Sequence, residues 1–179
     1  TEALNYIRRG KAYKAAFQAK ERFWEKENIY GGITWVNAPI QQIWYPPHNI
    51  HGKKGVVLAA YNFGGANYTE MSQEDRIEDL LKHGEKVHPN YRQMAEKPMT
   101  IAWHRMNHML GCAPRWARNR GGWSEKEEQM YETLRQPVNG RHYLIGDQST
   151  QHSAWMESAI QSAHYALADL DQRVRSEPA

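Results

Sequence analysis

GDQSTQHSAWMESAIQSAHYALADLDQRV runs from Gly146 to Val174. It follows a short apolar run, His142–Ile145, that reads as a buried strand. A polar stretch then leads into Ala154-Trp155-Met156-Glu157, where a long helix opens. Met156, Ile160, Ala163, Leu167, Leu170 and Val174 recur at steps of three and four, so the helix, about Ala154 to Val174, carries one apolar face. Strand, glycine, carboxylate and helix start in this order suit a ligand. Glycine lets it approach the backbone, the carboxylate accepts hydrogen bonds from hydroxyls, and the helix start offers free N–H groups at the positive end of its dipole. The same spacing is also met by an ordinary strand-loop-helix with a surface aspartate.

The rest of the chain bounds what that ligand site belongs to. With 179 residues, 40 % of them hydrophobic, the chain is long enough for a sizeable core and too apolar to be disordered. No run of 18 apolar residues crosses a membrane. The net charge of +3 comes from scattered Lys and Arg, with small clusters at Arg8–Lys11 and Arg115–Arg120, and lacks the basic stripe a nucleic-acid binder needs. The single Cys112 forms no internal disulfide and leaves the redox compartment open; a soluble protein, more readily cytoplasmic than not, is the expectation. Seven Trp and ten Tyr fill a core or wall a flat ligand.

The remaining elements alternate irregularly, which predicts an α+β fold, or α/β with mixed sheets. Thr1–Arg9 reads as a helix end. Lys11–Lys20 reads as a strand, with Tyr13, Ala15, Phe17 and Ala19 on one face and Lys14 on the other. Arg22–Lys26 is a short helix, and Gly31-Gly32 a turn. Ile40–Tyr45 is a strand stopped by Pro46-Pro47, and it pairs with Gly55–Asn62 around a long loop. Ser72–Lys86 and Ser124–Arg135 are helices capped by their serines, and Met99–Trp103 is a strand.

Gly146-Asp147, Ala154-Trp155 and Glu157 resemble the C-terminal segment of the flavin-containing amine oxidase superfamily, nearest the L-amino acid oxidases, with Ala154 where the family has glycine. FWEKENIYGGITWVNAPIQQIWYPPHN, Phe23–Asn49, resembles the family's Phe-Trp-Glu, Gly-Gly and Tyr-Tyr-Pro run in the same order. The resemblance implies that Gly146, Asp147, Ala154, Trp155 and Met156 hold FAD, with Trp155 also in the aromatic wall by the ring. It implies that Tyr45 binds the substrate α-carboxylate, with Trp44 in place of a second tyrosine. Lys14, nine residues before Phe23, matches the lysine that holds a water at flavin N5 and promotes reaction with oxygen. AWHRMNHMLGCA, Ala102–Ala113, resembles a ring-contacting segment in which Trp103 walls the flavin and Gly111 matches one of two glycines, with Leu110 or Cys112 at the other. Cys112 is either a flavin attachment point or a small buried hydrophobe. His104 and His108 have the spacing of metal ligands but no evident acidic or cysteine partner, so no metal is expected.

The implied activity is oxidation of an L-amino acid by oxygen to a keto acid, ammonia and hydrogen peroxide. Alternatives are an amino acid 2-monooxygenase yielding an amide, a monoamine or polyamine oxidase, and a non-catalytic subunit. Residues 1–100 are expected to be mostly substrate-binding, and 101–179 mostly a return to the FAD-binding domain. No Gly-x-Gly-x-x-Gly occurs: Gly31-Gly32, Gly64-Gly65 and Gly121-Gly122 all miss that spacing. The chain also starts without Met, in what reads as mid-domain sequence. Together these lead to the expectation of the C-terminal part of a two-domain amine oxidase fold. Other chains carrying the glycine-rich motif would complete it, as a hetero-oligomer or a nicked homo-oligomer.

Overall fold

The computed structural model describes residues 2–64, 66–109, 111–112, 114–116 and 123–176. Leu110, Gly65, Gly121, Gly122 and most of the Arg115–Arg120 cluster, singled out above, lie outside them. The elements are α1 (Glu2–Asn5), β1 (Ile7–Arg9), β2 (Ala12–Ala19), β3 (Ile33–Trp35), β4 (Gln42–Trp44), β5 (Gly55–Phe63), α2 (Ala66–Glu70), α3 (Gln73–Glu85), α4 (Tyr91–Met94), β6 (Ala95–Ala102), β7 (Pro114–Trp116), α5 (Glu125–Arg135) and α6 (Met156–Ser176). Short 3-10 turns cover Phe23–Glu27, Trp103–Arg105 and Asp147–Ser149. Two compact units result, Lys11–Gly111 and Thr1–Gly10 with Cys112–Ala179. The chain therefore divides near residues 10 and 111 rather than at residue 100, because β1 pairs antiparallel with β7, Ile7 opposite Trp116.

The Lys11–Gly111 unit is built on an antiparallel sheet of order β3-β4-β5-β2-β6. The alternation expected along β2 holds: Tyr13, Ala15, Phe17 and Ala19 are buried and Lys14 lies on the other face, half-buried. The buried face packs on Phe23, Trp24, Ile43, Tyr45, Val57, Leu80 and Tyr91. In β5 the alternation breaks. Ala15 pairs with Ala60 but Ala16 pairs with Leu58, so Ala59 is an extra residue, a β-bulge. Val57 and Ala59 are buried before the bulge, Ala60 and Asn62 after it, and Tyr61 and Phe63 turn to the other face.

Several elements differ from the sequence-based expectation. In place of a helix end, Glu2–Asn5 is a helical turn followed by β1. β6 starts at Ala95 and runs through Pro98, which a sheet interior would exclude. It is an edge strand, where a missing N–H costs no ladder bond. Trp103 falls beyond it, in a 3-10 turn. His142–Ile145 is not a buried strand: its only pairing among the described residues is a bridge from His142 to Val138, and Ile145 is exposed.

The helix caps are as expected. The Ser72 hydroxyl accepts from Asp75 N–H at 3.0 Å. In α5 the Ser124 hydroxyl accepts from Glu127 N–H, and the Glu127 carboxylate accepts Ser124 N–H at 2.7 Å. The Ser124 N–H foremost, and then the Ser124 hydroxyl donating to the carboxylate at 2.8 Å, hold the Glu127 carboxyl below its usual value. The unit formed by both chain ends packs Ala3, Trp116, Tyr131 and Leu134 together, with Trp116 stacked on Trp123 and both rings edge-on to Tyr131.

Close packing of α3 on α4 gives a test of the core. A Cβ added at Gly84 would lie 2.4 Å from Cδ1 of the fully buried Tyr91 ring. Alanine gains about 1 kcal/mol of helix propensity, whereas overpacking costs roughly 1–3 kcal/mol, and a ring with nowhere to move puts the cost at the upper end. Gly84→Ala is expected to lose about 1–2 kcal/mol in urea unfolding; an unchanged midpoint would mean that α3 and α4 pack more loosely.

Candidate active site

Candidate functional side chains gather in two places, one in each unit. In the Lys11–Gly111 unit they lie on the face of the sheet away from the core. Lys14 and Tyr61 are register partners, and the Lys14 ammonium sits 4.3 Å from the centroid of the Tyr61 ring. Phe63 lies against the same ring at 4.4 Å and Trp44 at 5.9 Å. The Trp44 indole N–H donates to Gln42 Oε1 at 2.7 Å, which fixes that ring. One cation and three aromatic rings thus share a face that the core does not use.

Tyr45 lies on the opposite side. It is 2 % exposed, its hydroxyl lies 2.7 Å from His88 Nε2 and 2.9 Å from Thr34 Oγ1, and burial raises its pKa, keeping it protonated. His88 Nδ1 lies 2.9 Å from the Glu27 carboxylate, which can only accept, so Nδ1 carries a proton. In the neutral imidazole Nε2 then accepts from Tyr45 and Tyr45 accepts from Thr34. This chain occupies the phenol with protein partners inside the core. The expectation that Tyr45 clamps a substrate carboxylate does not fit that placement. Tyr61 is the tyrosine on the Lys14 face, and sequence reasoning missed it. A strict two-residue period from Val57 points Tyr61 inward; only the bulge at Ala59 turns it out. Trp103 is half-buried just after Ala102, which pairs with Tyr13 on β2. Cys112 is half-buried, and its N–H donates to the Gly10 carbonyl at 2.8 Å. Among the described residues no three His, Cys, Asp or Glu side chains cluster as metal ligands.

The second place is the Gly146–Glu157 segment. Gly146 has φ 142°, and its N–H donates to Ser162 Oγ of α6 at 2.8 Å. The Asp147 carboxylate reaches across the loop and accepts Ala154 N–H at 2.6 Å. The loop is further tied by Trp116, whose indole N–H donates to the Gln148 carbonyl at 3.2 Å, and by Ser158, whose hydroxyl donates to the His152 carbonyl at 2.5 Å. Two serines on the inward side of α6 therefore satisfy loop backbone that an apolar face would leave unpaired. The large residues of the expected apolar stripe, Met156, Ile160, Leu167, Leu170 and Val174, are accordingly exposed, and α6 begins at Met156 rather than Ala154. Trp155 is 70 % exposed at the helix start, where the first N–H groups have no intrahelical acceptor. Gly146, Asp147, Ala154, Trp155 and Met156 thus share one ordered loop and helix start.

The "Flavin containing amine oxidoreductase" family model matches residues 1–170, and the chain belongs to that family. FAD is the cofactor of the family. The chain is 26 % identical over 176 residues to a flavin-dependent L-tryptophan oxidase of Lentzea aerocolonigenes, covering 95 % of this chain and 36 % of that enzyme. It is 27 % identical over 181 residues to an L-amino-acid oxidase of Siganus canaliculatus, covering 96 % and 32 % respectively. Among solved structures, cyclohexylamine oxidase from Brevibacterium oxydans superposes with a TM-score of 0.76 at 15 % identity, over 96 % of this chain and 37 % of that one. A putrescine oxidase redesigned in its cofactor binding superposes with a TM-score of 0.75 at 18 % identity, again over 96 % and 37 %. The expected mixed α and β architecture, as part of an amine oxidase fold, agrees with these likenesses. The chain spans about a third of the length of these relatives. No helix among the described residues is long and apolar enough to cross a membrane.

Ala154 holds φ 76°, a left-handed conformation that costs a side-chain-bearing residue about 1–2 kcal/mol. Glycine removes that strain and returns part of the gain as unfolded-chain entropy. Ala154→Gly is expected to stabilise the protein by about 0.5–1 kcal/mol in thermal or urea unfolding; destabilisation would show that the alanine methyl makes a contact worth more than the strain.

Proposed function

We propose that this polypeptide forms part of an FAD-dependent L-amino acid oxidase, converting its substrate to a keto acid, ammonia and hydrogen peroxide. The observation that carries the reading is the Lys14 ammonium set on Tyr61, with Trp44 and Phe63 alongside, on a sheet face the core leaves open. The names of the two relatives support an amino acid as substrate.

The residues of the Gly146–Glu157 segment fit the ring end of the cofactor. Gly146 keeps the backbone bare at φ 142°, where a Cβ would also lie 2.4 Å from Gln148 Oε1. Asp147 spends one oxygen on Ala154 N–H and has acceptor capacity left for ribityl hydroxyls. The first-turn N–H groups of α6 place positive potential where a reduced ring carries negative charge. Trp155, exposed in this unit, would supply an aromatic surface to the ring, and Met156 would add a backbone donor. Trp103 contributes to the aromatic wall. Bound FAD takes up the two electrons of C–N oxidation and delivers them to oxygen.

Chemistry assigned to the sheet face is positional and electrostatic. Tyr61 donates its phenolic proton to the substrate carboxylate, taking the role expected of Tyr45, and Trp44 and Phe63 exclude water from the substrate side chain. Lys14 would supply a positive charge on this face, which favours negative charge developing on oxygen. Holding the reacting carbon in place supplies the larger part of the rate.

The test is a spectrum of the flavin-loaded enzyme under anaerobic conditions with a panel of L-amino acids, cyclohexylamine and putrescine. Bleaching by amino acids alone, with keto acid and peroxide formed once air is admitted, is the expected result. Bleaching by the simple amines alone would contradict an amino acid substrate, and an amide product would reassign the enzyme as a monooxygenase.

A further inference from the structure

Gln42 is a polar side chain with only half of its hydrogen-bonding capacity used. It is 5 % exposed, in β4, next to Ile43, which belongs to the core. Strand alternation puts Gln42 on the face of Trp44, away from Ile43 and Tyr45, and the bond from the Trp44 indole N–H to Gln42 Oε1 agrees. An indole nitrogen only donates, so the amide atom facing it is the oxygen. Nε2, with two N–H groups, is therefore on the side of the amide away from that ring. Among the described residues it finds no acceptor. Other unpartnered polar atoms of this unit, such as the Tyr13 hydroxyl and the Trp24 indole nitrogen, are sealed from solvent; Gln42 Nε2 is not among them. Two contacts bracket Gln42 along β5. Trp44 is the register partner of Leu58, and Gln41 Oε1 accepts Phe63 N–H at 3.0 Å. Gln42 thus runs abreast of the stretch in which the bulge turns Tyr61 outward.

We propose that Gln42 is a specificity residue, donating its amide N–H groups to the substrate carboxylate beside the Tyr61 hydroxyl. This rests on the reading of the Lys14 face given above and deepens it. A largely buried amide needs partners for its donors, and a carboxylate is the one group of an amino acid that only accepts. The charge of the face agrees. Lys14 is a cation set among the rings. The one acidic residue paired with β2, Glu96, stands opposite Gln18 near the far end of that strand and is held by the Lys54 ammonium at 2.6 Å. One amide then serves twice: Oε1 fixes the Trp44 ring, and that bond in turn fixes which way the donors face. A simple amine offers these donors no acceptor, so they would stay unpaired beneath it. Gln42 therefore discriminates for amino acids and against amines that lack the carboxylate.

The experiment compares the flavin enzyme with its Gln42→Glu form by equilibrium dialysis at about pH 8, where a glutamate is ionised. The probes are 3-phenylpropanoate, which carries the carboxylate, and 3-phenylpropanol, which does not. Glutamate keeps an oxygen for the Trp44 indole N–H and replaces both donors with negative charge. The Kd for 3-phenylpropanoate is expected to rise at least about tenfold, while the Kd for the alcohol changes by less than about twofold. Equal weakening of both probes would mean that Gln42 only sets the Trp44 ring, and would overturn the proposal. So would an unchanged Kd for the carboxylate, or no binding of it by the unsubstituted enzyme. Gln42→Met, which has the same reach and no donor, is read by the same ratio of carboxylate to alcohol if the glutamate form does not hold flavin. Dialysis needs no turnover. Amino acids that fail to bleach the flavin would therefore sink the activity and leave the Gln42 result standing, and an unchanged ratio with normal bleaching would do the reverse.

Discussion

One unpaired residue, Ala59, decides what the central sheet presents to each side. Before it, β5 turns Val57 inward in step with Phe17 of β2; after it, the same strand turns Asn62 inward and sends Tyr61 and Phe63 out to join Lys14. Without the bulge, two bulky aromatic rings would be driven into a core already filled by Tyr13, Trp24, Tyr45 and Tyr91. With it, one face becomes a close-packed aromatic core and the other a cation ringed by aromatic side chains. The chemistry of the site is therefore a consequence of strand register. The buried Thr34–Tyr45–His88–Glu27 chain reinforces the same division, because it occupies the Tyr45 hydroxyl with protein partners inside the core.

The other unit follows a related economy. The loop before α6 carries backbone polar groups that need partners, and α6 and β7 supply them from Ser158, Ser162 and Trp116. Asp147 closes the loop on Ala154 and holds that alanine at a φ that costs it energy. Strain of this kind persists only where surrounding bonds impose it. Here they set Trp155 at the helix start with its indole exposed.

What could be read from the sequence was whatever depended on near neighbours. The alternation in β2 and the caps at Ser72 and Ser124 are local patterns, and they appear as expected. The Gly146–Met156 cluster was legible for the same reason, since all its residues lie within one loop and one helix turn. Tyr45 and Tyr61 were not separable, because the difference lies in a bulge that only pairing with β2 reveals. β6 was expected too short because Pro98 argues against a strand unless the strand is known to lie at an edge. The stripe on α6 was recognised as apolar, but its direction was not, because periodicity says which residues share a face and nothing about which face the protein uses.

The account is most directly tested by measuring KM for an L-amino acid substrate in Tyr61→Phe and Tyr45→Phe forms of the flavin enzyme. A phenol donating to a carboxylate is worth about 1.5–3 kcal/mol, which is a rise in KM of roughly ten- to a hundredfold for Tyr61→Phe. Tyr45→Phe should leave KM alone and lower thermal stability instead, since it strands His88 Nε2 in the core. A raised KM in Tyr45→Phe with Tyr61→Phe unaffected would mean that the substrate meets the other side of the sheet.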